Sequence, residues 1–103
     1  MGQDSVCRRE ITVTLDGGLH LRPLSQIAQL ARGFGCEVRI IKDGHAVNAK
    51  EVFDLMTLSA AEGTQLVLET AGNGAEDALT RLVALFESNF EDGSDETCSS
   101  DEE

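Results

Sequence analysis

The chain has 103 residues, 41% hydrophobic and 26% charged, with four Phe and neither Trp nor Tyr, which bounds it to one domain with an aliphatic core. Its 19 acidic and 8 basic residues give a formal net charge of −11, and that argues against a nucleic-acid binder, because phosphate backbones select basic surfaces. No apolar run approaches the ~18 residues of a membrane span, and the opening MGQDSVCRRE lacks both the apolar segment of a signal peptide and, with Val6, the Ser or Thr of a myristoylation signal. Cys7, Cys36 and Cys98 are odd in number and form no C-x-x-C pair, so they read as free thiols in a reducing, cytoplasmic compartment, Cys36 in the core and Cys98 in a tail.

In chain order, REITVTLD (9–16) alternates Ile11, Val13 and Leu15 with threonines, which predicts a half-buried strand. From Pro23, Leu24, Ile27, Ala28, Ala31 and Phe34 fall at helical spacing, with the proline suited to the first helical position and Gly33 and Gly35 ending the helix. Residues 36–50 read as two strands around an Asp43-Gly44 turn. A short helix over 48–59 follows, with an Asn48…Glu51 spacing like a capping box. TQLVLET (64–70) is the fourth strand. The last helix, 73–90, sets Ala78, Leu79, Leu82, Val83, Phe86 and Phe90 on one face. The order β-α-β-β-α-β-α predicts a small antiparallel sheet with the two longer helices packed on one of its faces.

Residues 1–90 are thus a single globular unit. Residues 91–103, EDGSDETCSSDEE, hold seven of the acids and no base, leaving 12 acids against 8 bases and a net −4 for the rest. Such a segment buries nothing, and disorder is expected. A solubilising extension is favoured over an electrostatic arm or a serine-kinase target at Ser94, Ser99 or Ser100.

The chemistry concentrates in GGLHLRP (17–23), which contains one of two histidines and the only proline. Gly17 and Gly18 allow a tight bend before the helix. No Ser, Thr, Asp or Asn lies between Asp16 and Ser25 to cap that helix, so its first N–H groups, around Leu21 and Arg22, are left for an outside acceptor. Orphan N–H groups at the positive end of a helix dipole form an anion site, and Arg22 adds a guanidinium matched to phosphate oxygens. A histidine with a usual pKa near ~6.5 is substantially neutral at cellular pH, with a ring nitrogen free to attack phosphorus. A metal site is disfavoured because His45 has no Cys or acid at ligand spacing. A hydrolase is disfavoured because no G-x-S-x-G is present. No cofactor is implied. His45 itself reads as a solvated strand residue.

GLHLRPLS together with VNAKEVFDLMTLSAAEGTQLVLETAGNGAEDAL resembles HPr, the histidine-containing phosphocarrier of the bacterial phosphoenolpyruvate-dependent phosphotransferase system, over about residues 9–90. The resemblance implies an α+β open-faced sandwich, a four-stranded antiparallel sheet with three helices on one face. It implies that His20 accepts phosphate on ring Nδ1 from phosphorylated enzyme I and passes it to an enzyme IIA-type domain. Leu21, Arg22 and Pro23 would then line the phosphate, Arg22 as its neighbouring arginine. Val52, Phe53 and Met56 of the short helix, with Leu24, become candidate docking residues, although an amphipathic pattern is equally compatible with core packing for Val52 and Met56.

The chain departs from the family pattern in ways that bear on partners. Leu21 and Leu24 stand where smaller residues are usual, which adds apolar bulk. Glu51 occupies the position of a regulatory serine, so phosphorylation there by an HPr kinase is not expected. Its charge either imitates the phosphorylated state or, more simply, serves as a first-turn acid worth ~0.3–1 kcal/mol. Asp54 replaces a common glycine, and the two acids call for a partner less acidic, or locally basic. A phosphoryl carrier is therefore the leading expectation. A regulatory module whose docking to a kinase, regulator or permease depends on His20 phosphorylation is the alternative. A monomer is expected, since the acidic surface offers no evident self-docking patch.

Overall fold

In a computed structural model, which describes residues 6–15, 17–88 and Phe90, the elements are β1 (Val6–Thr12), α1 (Leu21–Arg32), β2 (Glu37–Lys42), β3 (His45–Asn48), α2 (Val52–Met56), β4 (Gln65–Ala71) and α3 (Ala75–Glu87). Asp43 and Gly44 adopt φ of 50° and 83°. Positive φ at both central residues is the hairpin geometry that matches strand twist, and it returns β2 onto β3 with Lys42 opposite His45. The four strands form one antiparallel sheet in the spatial order β1-β4-β2-β3.

Alternation along the strands assigns the two faces. Val38, Ile40, Val47, Leu66 and Leu68 are buried in one cluster with Ile27, Ala28 and Ala31 of α1, Leu55 of α2, and Ala78, Leu82 and Phe86 of α3. The other face is polar and built by register: Arg8, Glu69 and Arg39 lie side by side across β1, β4 and β2. Arg8 reaches Glu69 at 2.9 Å, Arg39 reaches it at 3.6 Å, and Arg39 also contacts Glu37 at 3.0 Å. The expected open-faced sandwich of four antiparallel strands with three helices on one face is the architecture found.

Several boundaries differ from those expected. β1 runs 6–12 rather than 9–16: beyond Thr12 the chain leaves the ladder, and Val13 instead exchanges hydrogen bonds with the loop before β4, its N–H to Thr64 O and its C=O from Gly63 N–H, both 2.8 Å. Helix α1 begins at Leu21, which places Pro23 third rather than first. The first turn tolerates this because none of its N–H groups has an intrahelical partner to lose. Helix α2 is confined to 52–56 with Glu51 as its N-cap. Asn48 caps nothing: its Oδ1 accepts the Lys50 N–H at 3.0 Å in a local turn, while the Asp54 carboxylate reaches back to the Asn48 N–H at 3.4 Å. After α3, Phe90 takes φ 63°, donates its N–H to Leu85 O at 2.9 Å and sets its ring edge-on to Phe86 at 4.9 Å. Cys36 is buried and free, and Cys7 is half-buried and free; Cys98 and the tail from Glu91 lie outside the described residues. Among the described residues no helix is long and apolar enough to cross a membrane.

Candidate functional site

Two positive-φ glycines, Gly17 at 88° and Gly18 at 74°, turn the chain between β1 and α1. Gly18 donates its N–H to Leu15 O at 2.8 Å, and Leu19 donates to Ala60 O at 2.8 Å. Any side chain at Gly18 is excluded twice, by its backbone angle and by space: a Cβ there would lie 2.7 Å from Ala60 O and 2.8 Å from Ala61 Cα. The turn therefore rests directly on the backbone of the α2–β4 loop. Leu19 is buried beneath it, and the next residue, His20, emerges exposed.

His20 is the N-cap of α1, with extended backbone at φ −91° and ψ −170°. An N-cap side chain ordinarily accepts a hydrogen bond from the second or third helical N–H; the imidazole makes none. The third N–H does not exist, because Pro23 stands there. Leu24 N–H bonds to His20 O at 3.1 Å. The Leu21 and Arg22 N–H groups have no partner among the described residues. The first turn contains no acid, and Arg22, exposed, makes no ion pair or side-chain hydrogen bond among the described residues. Two donors without a partner among the described residues and the positive end of a dipole thus lie at the helix start that follows the imidazole, with Arg22 in the same turn. A methyl group at Gly17 would sit 4.0 Å from His20 Cδ2, so the turn leaves the imidazole room at that position.

The docking candidates divide by burial. Phe53 is 82% exposed, Leu21 59% and Met56 49%, an apolar set on a protein whose other large hydrophobics are mostly inside. Leu24, at 3% exposure, and Val52, packed against the core, offer a partner little or no free side chain. Leu24 serves the interior, contrary to its expected place on the docking surface, and half-buried Val52 follows the core-packing alternative. Glu51 and Asp54 are exposed beside Phe53. His45 is exposed but bonded, its Nε2 3.1 Å from Thr57 Oγ1, so it is more than a solvated strand residue. Among the described residues no group of three or more His, Cys, Asp or Glu is placed to hold a metal.

A loop-borne histidine at the start of a helix that lacks a side-chain cap, on an open-faced sandwich of this topology, is the architecture of a phosphocarrier. Residues 7–88 match the family model described as the PTS HPr component phosphorylation site, and the chain belongs to the HPr family of phosphocarriers. It is similar to the phosphocarrier protein NPr of Escherichia coli K12, 34% identical over 86 residues that cover 82% of this chain and 96% of the relative. A solved HPr of Thermoanaerobacter tengcongensis superimposes with a TM-score of 0.79 at 33% identity, covering 82% of this chain and 94% of its own. The Bacillus subtilis catabolite-repression protein Crh, described as a dimer with a swapping domain, gives a TM-score of 0.65 at 34% identity, covering 79% of this chain and 93% of its own.

Proposed function

We propose that this phosphocarrier accepts a phosphoryl group on Nδ1 of His20 from phosphorylated enzyme I and delivers it to an enzyme IIA-type domain. In the first transfer the bond between phosphorus and the donor breaks as the lone pair of Nδ1 forms a new N–P bond; in the second the recipient's nucleophile displaces His20. The Leu21 and Arg22 N–H groups and the Arg22 guanidinium would neutralise the phosphoryl oxygens, with Pro23 fixing the helix start. Phosphoryl transfer is mostly positioning and charge stabilisation, which a loop histidine with helix-start donors can supply. The observation that carries this reading is that, among the described residues, neither the first-turn N–H groups that follow His20 nor the Arg22 guanidinium has a partner.

Phe53, Met56 and Leu21 form the apolar centre of the docking face, and Glu51 and Asp54 give it an acidic margin that fits a partner with local positive charge. Glu51 cannot accept a phosphate, so the face is not switched at that position. Residues 1–90 constitute the carrier domain and residues 91–103 a solubilising extension. The chain works as a monomer, because the exposed edge strand β1 presents Arg8, Arg9 and Glu10, charges that discourage edge pairing. It works in the cytoplasm, where free Cys7 and Cys36 stay reduced. A regulatory role, in which docking of a kinase, regulator or permease depends on the state of His20, is the second reading, favoured by the acidic docking face and by the likeness to Crh.

Incubation of the purified chain with phosphoenolpyruvate and enzyme I of the same source tests the proposal. One acid-labile phosphate per chain by intact mass, absent in His20→Ala, supports it. No labelling by a demonstrably active enzyme I overturns it.

A further inference from the structure

The geometry points to Lys42, at the end of β2, as a positioning residue for His20. This inference rests on His20 being the phosphoacceptor. Lys42 Nζ donates to Leu58 O at 2.9 Å and to Ser59 O at 3.3 Å, the two carbonyls that follow the end of α2 and Thr57. Ser59 is held at φ 49°, a left-handed conformation unfavourable for a non-glycine residue. Such a conformation persists only where the surroundings impose it. The ammonium supplies that constraint from one side. His45, opposite Lys42 in the hairpin, supplies it from the other through Thr57 Oγ1 at 3.1 Å. Because the Thr57 hydroxyl donates to Asp54 O at 2.6 Å, it accepts from His45, whose Nε2 must carry the proton in that contact.

The next residue, Ala60, receives the Leu19 N–H at 2.8 Å, and the backbone at 60 and 61 is the surface against which Gly18 fits without room for a Cβ. The hairpin tip thus grips residues 57–59, residue 60 bears the phosphoacceptor turn, and His20 is one residue beyond the bond to Leu19. Lys42 touches neither the imidazole nor the place of a phosphoryl group. It acts by fixing the support, and the same grip fixes the end of α2, next to the exposed Phe53 and Met56.

The test uses the full chain as the acceptor substrate of enzyme I with phosphoenolpyruvate. Lys42→Met should lower kcat about tenfold, since misplacements of 1 Å or less have effects of this order, and leave KM within about a factor of two, as loss of a transition-state alignment does. Lys42→Gln, one bond too short to reach either carbonyl, should show the same loss without the apolar side chain. Lys42→Arg, which keeps two donors and the charge, should restore most of the rate. By NMR, the Leu19 amide and the His20 ring protons should shift in Lys42→Met and return in Lys42→Arg, while the amides of α3 stay in place. An unchanged kcat in both Lys42→Met and Lys42→Gln overturns the inference, as does a loss that Lys42→Arg does not repair. Failure of the wild-type chain itself to take label would instead overturn the phosphoacceptor reading.

Discussion

Helix α3 meets the positive end of its dipole from within the chain: Glu76 and Asp77 lie in its first turn, behind Gly74 at φ 84°. Helix α1 has no acid in its first turn, carries Arg22 there, and is preceded by an imidazole that caps nothing. Acids in a first turn stabilise by ~0.3–1 kcal/mol and cations oppose the dipole by a similar amount, so α1 departs from the stabilising pattern that α3 follows. Arg8, Arg9 and Arg39 are committed to carboxylates, whereas Arg22, like Arg81, makes no ion pair among the described residues. One helix start is finished by acids of its own first turn, and the other is the start at which the proposed phosphoryl group would be held.

The strongest way to break this comparison is to remove the imidazole. His20→Ala should abolish phosphoryl acceptance in the labelling assay while moving the denaturation midpoint little, within about 0.5 kcal/mol for an exposed site. Next, Arg22→Glu should give α1 the first turn that α3 has. Phosphoryl acceptance should fall by about 10²-fold, the scale of losing a charge-stabilising donor, while urea denaturation shows a gain of ~0.3–1 kcal/mol. Opposite movements of rate and stability are the signature; a parallel fall in both would mean Arg22 is structural. Phe53→Ala should lower kcat/KM with enzyme I by about tenfold, the worth of one well-placed apolar anchor, with stability unchanged. Glu76→Gln should cost ~0.3–1 kcal/mol by urea denaturation and leave the phosphorylation rate untouched, because that dipole serves only the fold.

Much of this was legible in the sequence, and the reasons differ by residue. The Asp43-Gly44 turn, the faces of the two long helices and the glycines before His20 are local signals, each fixed by the conformations those residues permit. The missing cap of α1 was legible as an absence over 17–24. Where the helix starts was not, because proline is as comfortable at the third helical position as at the first when neither N–H has a partner. Leu24 and Val52 were ambiguous because hydrophobic spacing reports a face without saying whether that face is core or docking surface; burial of Leu24 in the core cluster and packing of Val52 against it decide where each goes. The Arg8–Glu69–Arg39 row and the reach of Lys42 to Leu58 and Ser59 depend on strand register and on loops meeting in space, which spacing along the chain does not encode.

If phosphate on His20 is held by the start of α1, the backbone amides of Leu21 and Arg22 will report it directly. Their proton shifts should be measured in the free chain and in the chain phosphorylated by enzyme I, with Ala75 and Glu76 at the start of α3 as the internal reference. The account predicts large downfield movements and slowed exchange at Leu21 and Arg22 on phosphorylation, and none at Ala75 and Glu76. Unmoved amides at Leu21 and Arg22 in a fully phosphorylated chain would contradict it, because the phosphoryl group would then be held by something other than the helix start.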